Sequence, residues 1–347
     1  MEAELDHKLS QLPLLHLTNG FMSFKTFAAA VELDIFTRLR DGRSVTVDEF
    51  AAELGMQHRP ADLFLAALAS LDLLYKDGDR YANSALAEEF LVVGRPQYFG
   101  GYVKFYDQKL YPGWHNVVTA LKQNRPTVWD PATQDSIFSP EDELIMELFW
   151  EAMHSLAGHT ASALIEVHDF SRYRNLLDVG GGSGGFPIEL CRRFPRLSAT
   201  VYEFPHVCPI AAEKIKAAGL DSVIDTAAGD FTRDAALPDG YDVILLSQIL
   251  HCADEKSNRA LLEKCRDALP PGGTVLIVEH LLNPTRTGPS AAALMGMNML
   301  VAQVGGKNYA ETEYVSWLAD AGFVDPEIIR FEAAGANGAV IARKPSV

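Results

Sequence analysis

The stretch Leu176-Leu177-Asp178-Val179-Gly180-Gly181-Gly182-Ser183-Gly184-Gly185-Phe186-Pro187-Ile188-Glu189-Leu190 decides the fold. A short apolar run ends on a carboxylate at Asp178. Glycines follow at Gly180, Gly181, Gly182, Gly184 and Gly185, and then Phe186, Ile188 and Leu190 begin a helical spacing. The pattern reads as a strand, a glycine turn that lets a ligand come close to the backbone, and a helix N-terminus. It also satisfies G-x-G-x-x-G, the dinucleotide fingerprint. Asp178 argues against a pyrophosphate, which would face a negative charge at close range. It favours a cofactor whose near end is cationic.

Working outward, the chain from Arg174 onward alternates strand-like and helix-like segments, which predicts a doubly wound, parallel α/β sheet. Strands are expected at Asn175–Val179, Ala199–Glu203, Val223–Ala227, Val243–Leu246 and Thr274–Glu279. After Phe323, two further runs, 327–331 and 339–342, flank Gly335-Ala336-Asn337-Gly338 and predict a terminal antiparallel hairpin. Such sheets bind ligands outside the carboxyl ends of their strands. The residues expected there are Asp178, Glu203, Asp230, Ser247 with His251, and Glu279. Glu203 is placed to accept hydrogen bonds from both hydroxyls of a ribose.

Toward the N-terminus, residues 1–95 read as mostly helical. Phe21, Phe24, Phe27, Ala28, Val31, Ile35 and Leu39 recur at helical spacing, with Asp41-Gly42 as the stop. Thr46-Val47-Asp48-Glu49 is a capping box, Gly55 ends the helix it opens, and a third helix runs through Leu63, Ala67, Leu68 and Leu71. A small hairpin is expected around Asp77-Gly78. Three helices and a hairpin make a winged helix. Its third helix offers Asp62, Leu63, Phe64, Leu65 and Ala66, and not the Arg, Lys, Asn and Gln that read base edges. A dimerisation module is therefore preferred to a DNA-binding one.

Residues 96–170 connect the two parts. Tyr98, Phe99, Tyr102, Phe105, Tyr106, Tyr111, Trp114 and His115 crowd one segment, either as core or as a wall for a flat ligand. A loop is expected over 126–140, and then a long helix from Glu141 to about Val167 carrying Phe149, Trp150, Met153 and His154. Residues 171–347 form the ligand-binding domain.

The 347 residues are 48% hydrophobic, enough for one large core or two. Net charge is −16, from 46 acidic and 30 basic residues, a balance that disfavours nucleic acid. Cys191, Cys208, Cys252 and Cys265 lack C-x-x-C spacing and read as reduced thiols. No leader or membrane-spanning run is visible, so a cytoplasmic protein without membrane attachment is expected.

In combination these motifs resemble the class I S-adenosylmethionine-dependent small-molecule O-methyltransferases, a group that includes caffeate-type plant enzymes and bacterial antibiotic-tailoring enzymes. The likeness runs along nearly the whole chain. Leu176–Gly185 is similar to the family's cofactor loop, and Tyr202-Glu203-Phe204-Pro205-His206-Val207 to its second-strand motif, with Glu203 where Asp is more frequent. Gly229-Asp230-Phe231 resembles its adenine-side motif, and Gly305-Gly306-Lys307 a loop that closes over the site. Ile249-Leu250-His251 falls where the family carries its catalytic histidine. Departures are Cys252 for the usual Asp, Ala253 for the usual Trp, and Asn308 for the second of two glutamates that bracket the histidine.

The resemblance implies a Rossmann-like methyltransferase sheet with a winged-helix domain that forms a homodimer. S-adenosylmethionine is the implied cofactor, giving S-adenosylhomocysteine; it carries an ammonium and a sulfonium and no phosphate. Asp178, Gly180, Gly182, Glu203, Phe204, Gly229, Asp230, Phe231 and Ser247 would hold it. An aromatic small molecule is the implied acceptor, with Met153, His154, Met299 and Gln303 lining its pocket, and Met295, Met297 and Met299 reading as a pocket wall.

The chemistry supports these roles. A phenol of pKa about 10 is only about one part in a thousand ionised at pH 7, so a base within reach accelerates its attack. His251 is the candidate base, Glu279 the group that orients its ring, and Asn308 an uncharged hydrogen-bonding neighbour. No third ligand is spaced to make a metal site with His251 and Cys252, so none is expected. O-methylation in secondary metabolism leads. Methylation of a ring carbon beside a phenol, N-methylation, and a cofactor-sensing regulator on DNA stay open.

Overall fold

The computed structural model describes residues 9–134, 136–138 and 148–346. They form two compact units that divide between Asp107 and Gln108, inside the segment expected to connect the domains.

In the first unit, α1 (Leu12–Glu32) and α2 (Ile35–Arg38) replace the single helix expected through Leu39. Asp34 takes a left-handed backbone, φ 55°, that breaks the helix. The chain turns there and buries Ile35 and Phe36 together, which one straight helix would not do. After β1 (Ser44–Val45), Thr46 caps α3 (Val47–Leu54) as expected: its hydroxyl accepts from the Glu49 N–H, and Glu49 Oε2 accepts from the Thr46 N–H. Gly55 ends α3 in the left-handed region, φ 64°. α4 (His58–Ser70) buries Ala61, Leu65 and Leu68 and leaves Leu63 exposed. β2 (Leu74–Asp77) and β3 (Arg80–Asn83) form the hairpin, and β1 adds to β3 as a third antiparallel strand. α5 (Ala85–Phe90) and α6 (Gly100–Phe105) complete the unit. Phe99, Tyr102 and Tyr106 stack on one another at 4.8 and 4.2 Å. Along α1, Leu12, Leu14, Leu15, Leu17, Phe21 and Met22 stay exposed.

The second unit opens with α7 (Tyr111–Trp114) and α8 (Val117–Gln123). The expected loop follows; its residues 135, 139 and 140 lie outside the described residues. So does the start of the long helix expected from Glu141, and its described part is α9 (Trp150–Ile165). Then come β4 (Asn175–Val179), α10 (Gly185–Arg193), β5 (Ser198–Glu203), α11 (Cys208–Ala217), β6 (Ile224–Ala228) and β7 (Val243–Ser247). The chain continues through α12 (Glu255–Ala268), β8 (Thr274–Glu279), α13 (Ser290–Ala302), α14 (Glu311–Asp320), β9 (Val324–Arg330) and β10 (Gly338–Arg343). All five expected parallel strands are present, three with ends moved by one residue.

The seven strands lie in the order β6-β5-β4-β7-β8-β10-β9. β4 to β8 are parallel to one another, and β10 runs antiparallel between β8 and β9. Strand residues alternate between two cores. Leu176, Val201, Leu245 and Leu276 pack with Leu164, Phe186 and Ile215 of α9, α10 and α11. Leu177, Ile244, Leu246 and Ile277 pack on the other face with Leu262, Tyr314 and Trp317 of α12 and α14. Strand order reverses beside β4, because β5 lies on one side of it and β7 on the other. The crevice above β4 and β7 is therefore the natural ligand site. The Met295 region, expected as a pocket wall rather than a helix stripe, is helical. Met295 and Met299 are one turn apart on one face of α13, and Met297 is on another.

Candidate active site

Asp178 ends β4 within a turn built from glycines. Gly180, Gly182 and Gly184 have φ of 67°, 56° and 77°, a region other residues rarely adopt. A Cβ on Gly180 would run into the Ile249 side chain and meet the Phe231 ring at 3.3 Å. The loop is thus closely held between the β4 and β7 ends. The Trp150 ring stands 3.3 Å from where a Gly182 Cβ would be.

Asp178 is fully buried, and neither carboxylate oxygen has a hydrogen-bond partner among the described residues. Burial, and then the nearby Glu203 carboxylate, push its pKa up to about 8. An unpaired buried acid costs folding free energy, so its retention suits a cationic partner. Glu203, at the end of β5, accepts from the Gly182 N–H at 3.2 Å and the Phe204 N–H at 2.5 Å. Its burial outweighs those bonds and moves it up to about 7. The Gly229 N–H donates to the Glu203 carbonyl at 2.9 Å, and a Cβ there would strike the Tyr202 ring. Phe204 stacks on His206 at 5.5 Å. Ser247 closes β7, half-buried.

Asp230 is partly committed to its own turn. Its Oδ1 accepts from the Thr232 N–H and hydroxyl at 2.9 and 2.5 Å, and Arg233 approaches its Oδ2 at 3.5 Å. The residues present fit S-adenosylmethionine: a buried carboxylate without a partner among the described residues would suit the ammonium end, and a second carboxylate would suit the ribose.

Across from this loop, residues Leu250–Cys252 form a single helical turn after β7. Gln248 leads into it with φ 55°. The turn is pinned from three sides. The Asn258 amide donates to the Leu250 carbonyl at 2.8 Å, the Tyr309 hydroxyl to the Ala253 carbonyl at 2.7 Å, and Glu279 Oε1 accepts from the N–H groups of Leu250 and His251 at 3.0 and 3.3 Å. Glu279 Oε2 is 2.6 Å from His251 Nδ1, and both side chains are buried. Burial disfavours the imidazolium, but the Glu279 carboxylate and the Cys252 side chain outweigh it, so the pKa stands well above the ordinary histidine value. Glu279 takes Nδ1, which leaves Nε2 as the nitrogen on the other edge of the ring.

Residues 303–308 cross over this turn. Gln303 Nε2 is 4.0 Å from Cys252 Sγ. A Cβ on Gly306 would lie 2.7 Å from the His251 carbonyl oxygen, so only glycine lets the loop settle there. Asn308 is buried, and its Nδ2 donates to the carbonyl of His280, the residue after Glu279, at 2.7 Å.

The expected pocket residues divide. Met299 is buried on α13, one turn before Gln303, while Met153 is half-buried on α9. His154 Nδ1 is 2.9 Å from the Ser183 hydroxyl, so this edge of the ring supports the glycine loop. Burial and then Lys214 lower its pKa from the ordinary histidine value. Trp150 and Ile249 also touch the loop, and no sequence signal beyond their positions marks them. Asn298 accepts from the Trp114 indole N–H at 3.2 Å; a polar residue inside an otherwise apolar helical run is the signal that could have found it. Among the described residues no group of three His, Cys, Asp or Glu side chains could hold a metal, and no helix is long and apolar enough to cross a membrane.

Comparison with known proteins matches this architecture. Residues 114–324 fit the O-methyltransferase domain model, and residues 15–93 the O-methyltransferase dimerisation domain model. The chain is 44% identical to the 3-hydroxy-5-methyl-1-naphthoate 3-O-methyltransferase of Streptomyces sahachiroi, covering 95% of this chain and 94% of that one. It is 33% identical to the tetracenomycin polyketide synthesis 8-O-methyl transferase of Streptomyces glaucescens, covering 96% of each. Its fold superimposes on human N-acetylserotonin methyltransferase in complex with S-adenosylmethionine with a TM-score of 0.81 at 27% identity, over 99% of this chain and all of that one. The chain therefore belongs to the S-adenosylmethionine-dependent O-methyltransferase family, and it is an enzyme of that class.

Proposed function

We propose that this enzyme methylates a phenolic oxygen of a fused-ring aromatic small molecule in antibiotic-type secondary metabolism, with His251 taking the phenol proton. The observation that carries the reading is the buried His251–Glu279 couple, 2.6 Å apart, beside the crevice that Asp178 and Glu203 line. The two Streptomyces relatives support the acceptor class, because one O-methylates a hydroxynaphthoate and the other is an 8-O-methyl transferase of tetracenomycin polyketide synthesis.

When bound, S-adenosylmethionine supplies a methyl group on a positively charged sulfur. This chain's residues do the rest. Asp178 and the glycine loop bind the cationic end, and Glu203 takes the ribose. Met299 and Gln303 border the acceptor, and His251 Nε2 accepts its proton as the oxygen attacks. Glu279 holds Nδ1–H and balances the positive charge the imidazole gains. Holding the oxygen in line with the methyl carbon contributes much of the acceleration. Asn308, opposite, offers an uncharged group where a carboxylate would add further negative charge.

The enzyme is also proposed to work as a homodimer through its N-terminal domain. The dimerisation model over residues 15–93 and the exposed apolar side chains of α1 support that reading.

The test is incubation with S-adenosylmethionine and a panel of hydroxynaphthoates, polyketide phenols and phenolic amino acids, with products read by mass spectrometry and NMR. The expected result is one added methyl group on oxygen of a fused-ring phenol. A methyl on the adjacent ring carbon would reassign the reaction to carbon, since the same deprotonation also pushes charge there. Transfer to amines alone would remove the phenol from the account.

A further inference from the structure

The amide of Asn308 is 2% exposed, and its two ends differ. Its Nδ2 donates to the backbone carbonyl of His280 at 2.7 Å. A carbonyl only accepts, so this bond fixes which end of the amide is which. The other end, Oδ1, is buried and has no hydrogen-bond partner among the described residues. A buried acceptor left unmet costs free energy, and here it belongs to the loop that crosses the His251 turn. Three observations locate it there. His280 directly follows Glu279, the partner of His251. Two residues back, Gly306 lies against the His251 carbonyl. On the far side, the Asn308 backbone nitrogen and Cβ are 3.4 and 3.6 Å from where a Gly296 Cβ would be. Gly296 is three residues from Met299 on α13, so the two share a face of that helix.

We propose that Asn308 Oδ1 reads a second hydrogen-bond donor on the acceptor, an O–H or N–H other than the hydroxyl that is methylated. The preferred acceptors are then polyhydroxylated or amino-substituted aromatics. Oδ1 offers only acceptor lone pairs and no charge, so it selects a neutral donor and gives nothing to a carbonyl or ether oxygen at the same place. A monohydroxylated analogue leaves the buried oxygen unmet, which is why it is disfavoured. This inference rests on the phenol-methylating reading above and adds a specificity residue to it.

The experiment compares a dihydroxynaphthalene series with the matching monohydroxy compounds, in wild type, Asn308→Leu and Asn308→Asp. Wild type should favour the best dihydroxy acceptor by about tenfold or more in kcat/KM, mainly through KM, the scale of one hydrogen bond. Asn308→Leu should bring that ratio close to one, and Asn308→Asp, which keeps an acceptor oxygen, should retain it. The same compounds are titrated calorimetrically into enzyme saturated with S-adenosylhomocysteine, a readout that needs no turnover. A wild-type ratio near one in both measurements, or a ratio that survives Asn308→Leu, overturns the inference. Tighter binding of the dihydroxy compounds, lost in Asn308→Leu but without methyl transfer to any phenol, upholds the inference and sinks the phenol-methylating reading instead.

Discussion

Asp178 and His251 are both buried, and their pKa values move for opposite reasons. Burial and Glu203 raise Asp178 to about 8, so in the cofactor-free enzyme it holds a proton at neutral pH. A cationic cofactor stabilises the carboxylate and should expel that proton. Calorimetric titration of S-adenosylmethionine near pH 7, in buffers of different ionisation enthalpy, is expected to show net proton release and affinity that rises toward pH 8. No proton release would contradict the assignment. The linkage also affects stability. A carboxyl that stays protonated when folded but ionises when unfolded makes the cofactor-free protein less stable as pH rises from about 4 to 8. Asn at 178 removes that penalty, so Asp178→Asn should stabilise the cofactor-free protein by about 1–2 kcal/mol and weaken cofactor binding about tenfold or more.

For His251 the sign runs the other way. Its folded pKa lies above the unfolded value, so the Glu279 pairing is fully present below about pH 6.5 and is lost as pH rises through the raised folded value. As a base it must first lose its proton. The rate, kcat/KM, should therefore rise with pH through a midpoint above the ordinary histidine value, and Glu279→Gln should move that midpoint down by about one unit or more. An unmoved midpoint would separate Glu279 from the base.

At the scale of elements, the site is the meeting of four strand ends with one crossing loop. β4 carries Asp178 near its end, β5 ends at Glu203, the turn after β7 carries His251, and β8 ends at Glu279. The 303–308 loop rests on the His251 turn through Gly306. Gly306→Ala places a methyl group 2.7 Å from a backbone oxygen, so the loop or the turn must shift. The expected result is a fall in kcat of about tenfold with S-adenosylhomocysteine affinity little changed, read by steady-state kinetics beside calorimetry. An equal loss of cofactor affinity would mean the loop serves the cofactor instead.

Much of this assembly was legible in the sequence. Strand, glycine turn and helix follow from Leu176–Leu190, because glycine spacing and apolar periodicity are local signals. The capping box at Thr46 is equally local. What escaped depends on tertiary contact. Asp34 breaks a helix that periodicity continues, because a left-handed aspartate gives no sequence warning. The contact of His154 with Ser183 joins residues 29 apart in the chain and has no local signal. The direction of the Asn308 amide is set by the His280 carbonyl, which no spacing rule reveals. The insertion of β10 between β8 and β9 is likewise a matter of topology.

For the whole molecule, the exposed apolar side chains of α1 bear on assembly. Leu14 and Leu17 are 64% and 80% exposed, on a unit matched by the dimerisation model. Contiguous apolar exposure of this kind marks an interaction surface. A Leu14→Glu, Leu17→Glu double variant should run as a monomer in size-exclusion chromatography with light scattering, where wild type runs as a dimer. A wild-type monomer, or a variant that stays dimeric, would contradict α1 as the contact. The net charge of −16 disfavours nucleic acid as a partner.

All of these scales converge on the imidazole of His251, and replacing it is the most direct measurement. His251→Ala should lower kcat/KM for the best phenolic acceptor by about 10²–10⁴-fold at pH 8, while calorimetric affinity for S-adenosylhomocysteine stays within about threefold of wild type. Turnover that survives the substitution would contradict the account.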